Sequence, residues 1–104
     1  MSHKYRYRKG ANLEYRLRDR LVQEGWIVIR SAGSKKPDLV CIRENGQSIE
    51  VMFVECKYNG RLRAEDKARL RTLKSMVPAA KIMLAYKAER GVAMRELTQE
   101  DLNR

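Results

Sequence analysis

Two apolar runs, PDLVCIRE at 37–44 and SIEVMFVECK at 48–57, flank the dipeptide Asn45-Gly46. No other stretch restricts the fold as much, because Asn-Gly between alternating hydrophobics is the strongest short-range signal for a tight β-hairpin. A two-residue type I′ turn at Asn45-Gly46 pairs Glu44 with Gln47, Ile42 with Ile49, Val40 with Val51 and Asp38 with Phe53. Strand side chains alternate between faces, so Ile49, Val51, Phe53, Glu55 and Lys57 share one face. Asp38 falls on that face too, with Glu55 its diagonal neighbour at a Cβ separation of about 7 Å or somewhat less.

Charged groups on an apolar face are costly unless they are paired or bind an ion. Two carboxylates within reach of one cation, with a lysine beside them, suit metal-assisted phosphodiester hydrolysis. Carboxylate oxygens are hard ligands for Mg²⁺, which keeps waters and also takes substrate phosphate. The metal acidifies its bound water and neutralises transition-state charge. Lys57 can orient the attacking water or stabilise developing negative charge. The plainer alternative is that Asp38 and the Glu55-x-Lys57 triplet solvate strand ends. Such a triplet is common by chance; a hairpin-matched Pro-Asp before it is less so.

Lys and Arg total 23 against 13 acidic residues, a formal net charge of +10 in 104 residues. That excess points to a polyanionic partner, since basic side chains that neutralise phosphates release condensed counterions. A chain this long supports one domain with a single core. Its apolar runs are too short for the ~18 residues of a membrane span, and the charged N-terminus has no apolar segment of a secretory signal behind it. A cytoplasmic location is expected, nucleoid-associated or, for a viral chain, in the host cytoplasm. The two cysteines lack CxxC spacing and the single histidine is His3, so zinc binding and thiol catalysis are disfavoured.

Along the chain, residues 1–8 read as a flexible basic arm with Lys4, Arg6 and Arg8 between Tyr5 and Tyr7. A helix is predicted over 9–24, its apolar stripe Leu13, Leu17 and Leu21 ended by Gly25. Glu14 lies about 20° from Leu21 on a helical wheel, within reach of the edge of a core-facing surface. Arg16, Arg18 and Arg20 point elsewhere. A strand over 26–31 and a small-residue turn over 32–36 precede the hairpin. A basic loop over 58–63 follows it. A second helix is predicted over 64–77, with Leu70, Leu73, Met76 and Val77 inward and Lys67, Arg69, Arg71 and Lys74 outward. Strands over 80–87 and 91–97 follow, and Thr98 with Asp101 caps a last turn. The order α-β-β-β-α-β-β predicts an α/β fold, a mixed sheet with flanking helices around one core.

The pattern resembles the PD-(D/E)xK nuclease superfamily, and within it the archaeal-type Holliday junction resolvases of the Hjc group. The segments that carry the likeness are RKGANLE (8–14), VIRSAGSKKPDLV (28–40) and VECK (54–57). The resemblance implies a restriction-endonuclease-like core and a crossover junction endodeoxyribonuclease that nicks four-way DNA junctions symmetrically as a homodimer. It implies metal ligation by Asp38 and Glu55, assistance from Glu14, a catalytic Lys57, and Mg²⁺ as cofactor with Mn²⁺ as a substitute. Arg8, Lys9, Arg30 and Ser31 would contact the DNA backbone. Arg6, Ser34, Lys35, Lys36, Arg61 and Arg63, in the arm, turn and loop, are further candidate DNA contacts. Where relatives commonly place Arg after the helical glutamate, this chain has Tyr15 and then Arg16. Two alternatives share these features: another repair or restriction-type nuclease of the superfamily, and a non-catalytic basic DNA-binding module.

Overall fold

Leu13, Leu17 and Leu21, spaced one helical turn apart, are all buried along one side of the first helix, α1 (Ser2–Gln23). The computed structural model describes residues 2–31 and 37–104, the side chains of residues 2–11 excepted. α1 begins at Ser2 and not near residue 9, so residues 2–8, expected as a flexible arm, continue the helix. No proline interrupts this stretch, and one interior glycine, Gly10, costs a helix only about 1 kcal/mol. The helix ends at Gly25, as the sequence predicts. Gly25 has φ +95°, and the Trp26 N–H donates to the Leu21 carbonyl at 3.0 Å.

Five strands and two further helices follow: β1 (Ile27–Arg30), β2 (Leu39–Asn45), β3 (Ser48–Cys56), α2 (Ala64–Met76), β4 (Lys81–Lys87), β5 (Val92–Glu96) and α3 (Gln99–Asn103). The strands lie in sequence order, antiparallel except for the parallel pair β3 and β4. A tight turn cannot join parallel neighbours, so α2 makes the crossover between them. This is the mixed-sheet α/β fold expected from the sequence. Thr98 caps α3 as predicted: its hydroxyl accepts the Asp101 N–H at 3.2 Å, and the Asp101 carboxylate accepts the Thr98 N–H at 2.8 Å.

The sheet separates two cores. On one face Leu17 and Leu21 of α1 pack with Trp26, Leu39, Cys41, Met52, Val54 and Ala85. On the other, Leu70 of α2 and Leu102 of α3 pack with Phe53, Ile82, Leu84 and Leu97. Met76, expected inward, is 73% exposed as the last residue of α2, while Leu73 and Val77 beside it pack against the core. Ile27 and Ile29 also remain exposed, on strand positions whose neighbours Trp26 and Val28 face the α1 core, and Ile49 is exposed near the start of β3.

The hairpin forms, but its register differs from the prediction. Asn45 pairs with Ser48, Glu44 with Ile49, Ile42 with Val51 and Val40 with Phe53, so the turn residues are Gly46 and Gln47. A type I′ turn at Asn45-Gly46 needs positive φ at both residues. Here Gly46 alone has it, at +67°, in the first turn position, where a type II′ turn wants glycine. The shift moves every partner by two residues. Because strand periodicity is also two, each side chain keeps its predicted face.

Candidate active site

Continuing the observed register one residue past Leu39 and Val54 sets Asp38 directly opposite Glu55 rather than diagonal to it. The Asp38 carboxylate accepts the Cys56 N–H at 2.7 Å, and the Asp38 carbonyl accepts the Ser31 N–H at 3.1 Å. Both bonds hold Asp38 at the end of β2 beside the carboxyl end of β3. Glu55 is 3% exposed, a depth at which a charged group requires partners. α2 supplies them. Arg69 donates to Glu55 Oε2 at 2.7 Å and to Asp66 Oδ1 at 3.0 Å. Lys57 Nζ lies 3.1 Å from Asp66 Oδ2 and 3.8 Å from Glu55 Oε2. Glu55 Oε1 is buried and has no hydrogen-bond partner among the described residues.

Burial pushes the Glu55 carboxyl up to about 7, and the charge on Asp38 pushes the same way, against Arg69 and Lys57. Asp66 behaves oppositely. Burial alone would raise it, but the Arg63 N–H, Lys57 and Arg69 hold its carboxyl below the usual aspartate range. Two carboxylates facing each other across a hairpin, one with an orphaned buried oxygen, leave a deficit of positive charge where the strands end. A small divalent cation fits it. Mg²⁺ sites are often built from one or two carboxylates, with waters and substrate phosphate completing the octahedron.

Glu14 is not gathered as closely. Its carboxylate accepts from Arg30 Nε at 3.2 Å, and among the described residues no three Asp, Glu, His or Cys side chains form a group able to hold one ion. Burial raises its pKa; the Arg30 bond opposes this and the charge of Asp38 adds to it, so the Asp38 charge acts on Glu14 as it does on Glu55. Tyr15 completes this side. Arg30 stacks on its ring at 4.9 Å and reaches its hydroxyl at 3.5 Å, while Arg18 stacks on the ring at 5.1 Å.

Among the other expected site residues, the Ser31 hydroxyl donates to the Pro37 carbonyl, which with the Asp38 bond ties together the described residues on either side of 32–36. Arg61 and Arg63 are exposed on the loop between Lys57 and α2. Ser34, Lys35 and Lys36 lie outside the described residues, as do the side chains of Arg6, Arg8 and Lys9. The cysteines are free. Burial pushes the Cys41 thiol up to about 11 and Cys56 higher still, as befits packing residues rather than nucleophiles. Arg69, expected outward, turns into the site, and Asp66 carried no expectation at all. The readable signal was their i,i+3 spacing at the start of the helix that follows the Glu55-x-Lys57 strand.

The comparisons with known proteins bear on the family and the fold. The family model described as archaeal Holliday junction resolvase (Hjc) matches residues 5–104. The crossover junction endodeoxyribonuclease Hjc of Methanocaldococcus jannaschii is 46% identical over 54 residues, which cover 52% of this chain and 38% of that protein. The match therefore spans well under half of that relative. The 1.6 Å structure of Archaeoglobus fulgidus Hjc, a Holliday junction resolvase from an archaeal hyperthermophile, superposes with a TM-score of 0.64 at 29% identity. That superposition covers 85% of this chain and 70% of that one. A family match over nearly the whole length, on a shared fold, means that this chain belongs to the archaeal Holliday junction resolvase (Hjc) family.

Proposed function

We propose that this chain is a divalent-metal-dependent, structure-selective endodeoxyribonuclease that resolves four-way DNA junctions by symmetric nicking. One observation carries the reading: in a chain of the Hjc family, Asp38 and Glu55 face each other at a strand end with Lys57 alongside and one Glu55 oxygen unpartnered. A purely DNA-binding module gains nothing from buried carboxylates beside phosphate, which disfavours that alternative.

Asp38 and Glu55 would hold the ion, Mg²⁺ or in its place Mn²⁺. Bound there, it would acidify a water and neutralise charge on the phosphate. Asp38 keeps its orientation through the Cys56 N–H. Lys57 brings an ammonium beside the carboxylates, where it can orient the attacking water or meet charge developing on the phosphate oxygens. Glu14 assists from the α1 side. Arg30, Arg61 and Arg63, with Arg6, Arg8, Lys9, Ser31, Ser34, Lys35 and Lys36, contact the DNA backbone. A phosphate that takes the Arg30 guanidinium releases Glu14 toward the site.

The protein acts as a homodimer in the cytoplasm, because two identical sites related by a two-fold axis match two related strands of a junction. Exposed Ile27, Ile29 and Ile49 offer an apolar surface to a second copy. The deciding experiment incubates the protein in Mg²⁺ with a synthetic four-way junction and with linear duplex, beside Asp38→Asn. Paired nicks in the junction, lost in the variant, are expected. Equal cutting of duplex points to another nuclease of the superfamily, and salt-sensitive binding without cleavage to a DNA-binding module.

A further inference from the structure

We propose that Asp66 and Arg69, on the first two turns of α2, are positioning residues of the nuclease site, Asp66 acting through Lys57 and Arg69 through Glu55. The inference rests on the nuclease reading and adds to it a part of the molecule outside the Pro-Asp and Glu-x-Lys strands.

The geometry is a closed circuit of four charges. Asp66 and Glu55 have side chains 6% and 4% exposed, and the guanidinium that joins them belongs to a side chain 17% exposed. A surface helix has no packing reason to bury a carboxylate and a guanidinium against a sheet that is otherwise apolar on that face. Their partners supply the reason. Arg69 Nη2 is bonded to Oε2 of Glu55 and leaves Oε1 without a partner, so the free oxygen is fixed by the one that is held. Without Arg69, Glu55 can rotate about its last torsion, which for a carboxylate is broad and nearly two-fold.

Asp66 does the corresponding work for lysine. A lysine ammonium sits on a flexible four-carbon stem and has no preferred direction of its own. Contact with Asp66 Oδ2 at 3.1 Å brings Lys57 alongside Glu55. Asp66 is fixed in turn by the Arg63 N–H, donated at 2.8 Å from the start of the same helix. The α2 entry therefore sets the aim of Glu55 in β3 and of Lys57 just past its end. Removal of outer partners of this kind typically costs roughly 10–100-fold in metal affinity or activity.

The two arms predict different losses. Asp66→Asn keeps the shape and an oxygen for the Arg63 N–H but weakens the hold on Lys57. Its junction turnover should fall roughly 10–100-fold; because its amide nitrogen can no longer accept from Arg69, the Mn²⁺ dissociation constant of the free protein, read by titration calorimetry, should weaken too, but by less than in Arg69→Gln. Arg69→Gln should weaken Mn²⁺ binding by roughly 10-fold or more. Arg69→Lys keeps the charge, but its ammonium sits one bond nearer the backbone than Nη2, which holds both carboxylates, so it should remain impaired in the same assay. All measurements are made below the melting temperature of each variant, read by circular dichroism. If Arg69→Gln does not fold, Arg69→Lys decides that arm. Wild-type Mn²⁺ affinity in both Arg69 variants, or wild-type turnover in Asp66→Asn, overturns the assignment. A wild-type protein that neither binds Mn²⁺ nor nicks junctions refutes the nuclease reading first, and this inference with it.

Discussion

The Asp38 carboxylate accepts the backbone N–H of Cys56 at 2.7 Å, fastening a side chain from one hairpin strand to the main chain next to Glu55 on the other. An asparagine can accept the same hydrogen bond but carries no charge. Asp38→Asn should therefore fold normally while junction cleavage falls to background. It should also lower the Glu55 pKa by removing a like charge, which a carboxyl ¹³C titration will register. An unmoved Glu55 titration would show that the two groups do not share a site.

Stability should depend on pH through Glu55. Its folded pKa, raised from 4.5 to about 7, exceeds the unfolded value, so the folded state holds the proton more tightly. In metal-free buffer the stabilisation is complete below about pH 4.5 and disappears as pH rises through 7, a loss of about 3 kcal/mol. Urea melts from pH 4.5 to 8 should show this slope, and Glu55→Gln should flatten it. Added Mg²⁺ should raise the melting temperature at pH 8, since binding to the folded state alone stabilises it, and chelation should reverse the gain.

Gly46 is the one residue of the turn with positive φ, and a Cβ there would meet nothing within 4 Å. Gly46→Ala therefore costs backbone strain alone, about 1 kcal/mol by denaturant unfolding, and leaves cleavage per folded molecule unchanged. One residue inserted after Gly46 should do the opposite of this mild effect. It turns the side chains of one strand to the wrong face and abolishes activity.

Arg30 is bonded to Glu14 and stacked on Tyr15. Arg30→Gln should raise the Glu14 pKa further, because the bond that opposes burial is lost. It should also reduce the salt dependence of junction binding by about one phosphate contact. A binding slope identical to wild type would assign Arg30 to structure alone.

Ile49 is 67% exposed at the far end of β3 from the carboxylates. If this surface receives a second copy, Ile49→Glu should give the mass of a monomer by light scattering and convert paired nicks into single ones. A dimer of unchanged mass would place the contact elsewhere.

The sequence by itself determined the order of the elements and which candidate residues share a strand face. Periodicity places Leu13, Leu17 and Leu21 in the α1 core, and Gly25 and Thr98 mark helix ends through local hydrogen bonds that need no distant partner. Strand alternation puts Asp38, Glu55 and Lys57 on one face even though the turn lies one residue later than Asn45-Gly46 suggests, because a two-residue shift of partners preserves parity. Tertiary structure alone decided what surrounds the site. The inward turn of Arg69 and the burial of Asp66 depend on where α2 lands after crossing from β3 to β4, and no local pattern encodes that position. The pairing of Glu14 with Arg30 likewise depends on how α1 lies against β1. Residues far apart in the chain meet through packing of whole elements, and the favourable energy of that packing is spread over cores that contain none of these charges.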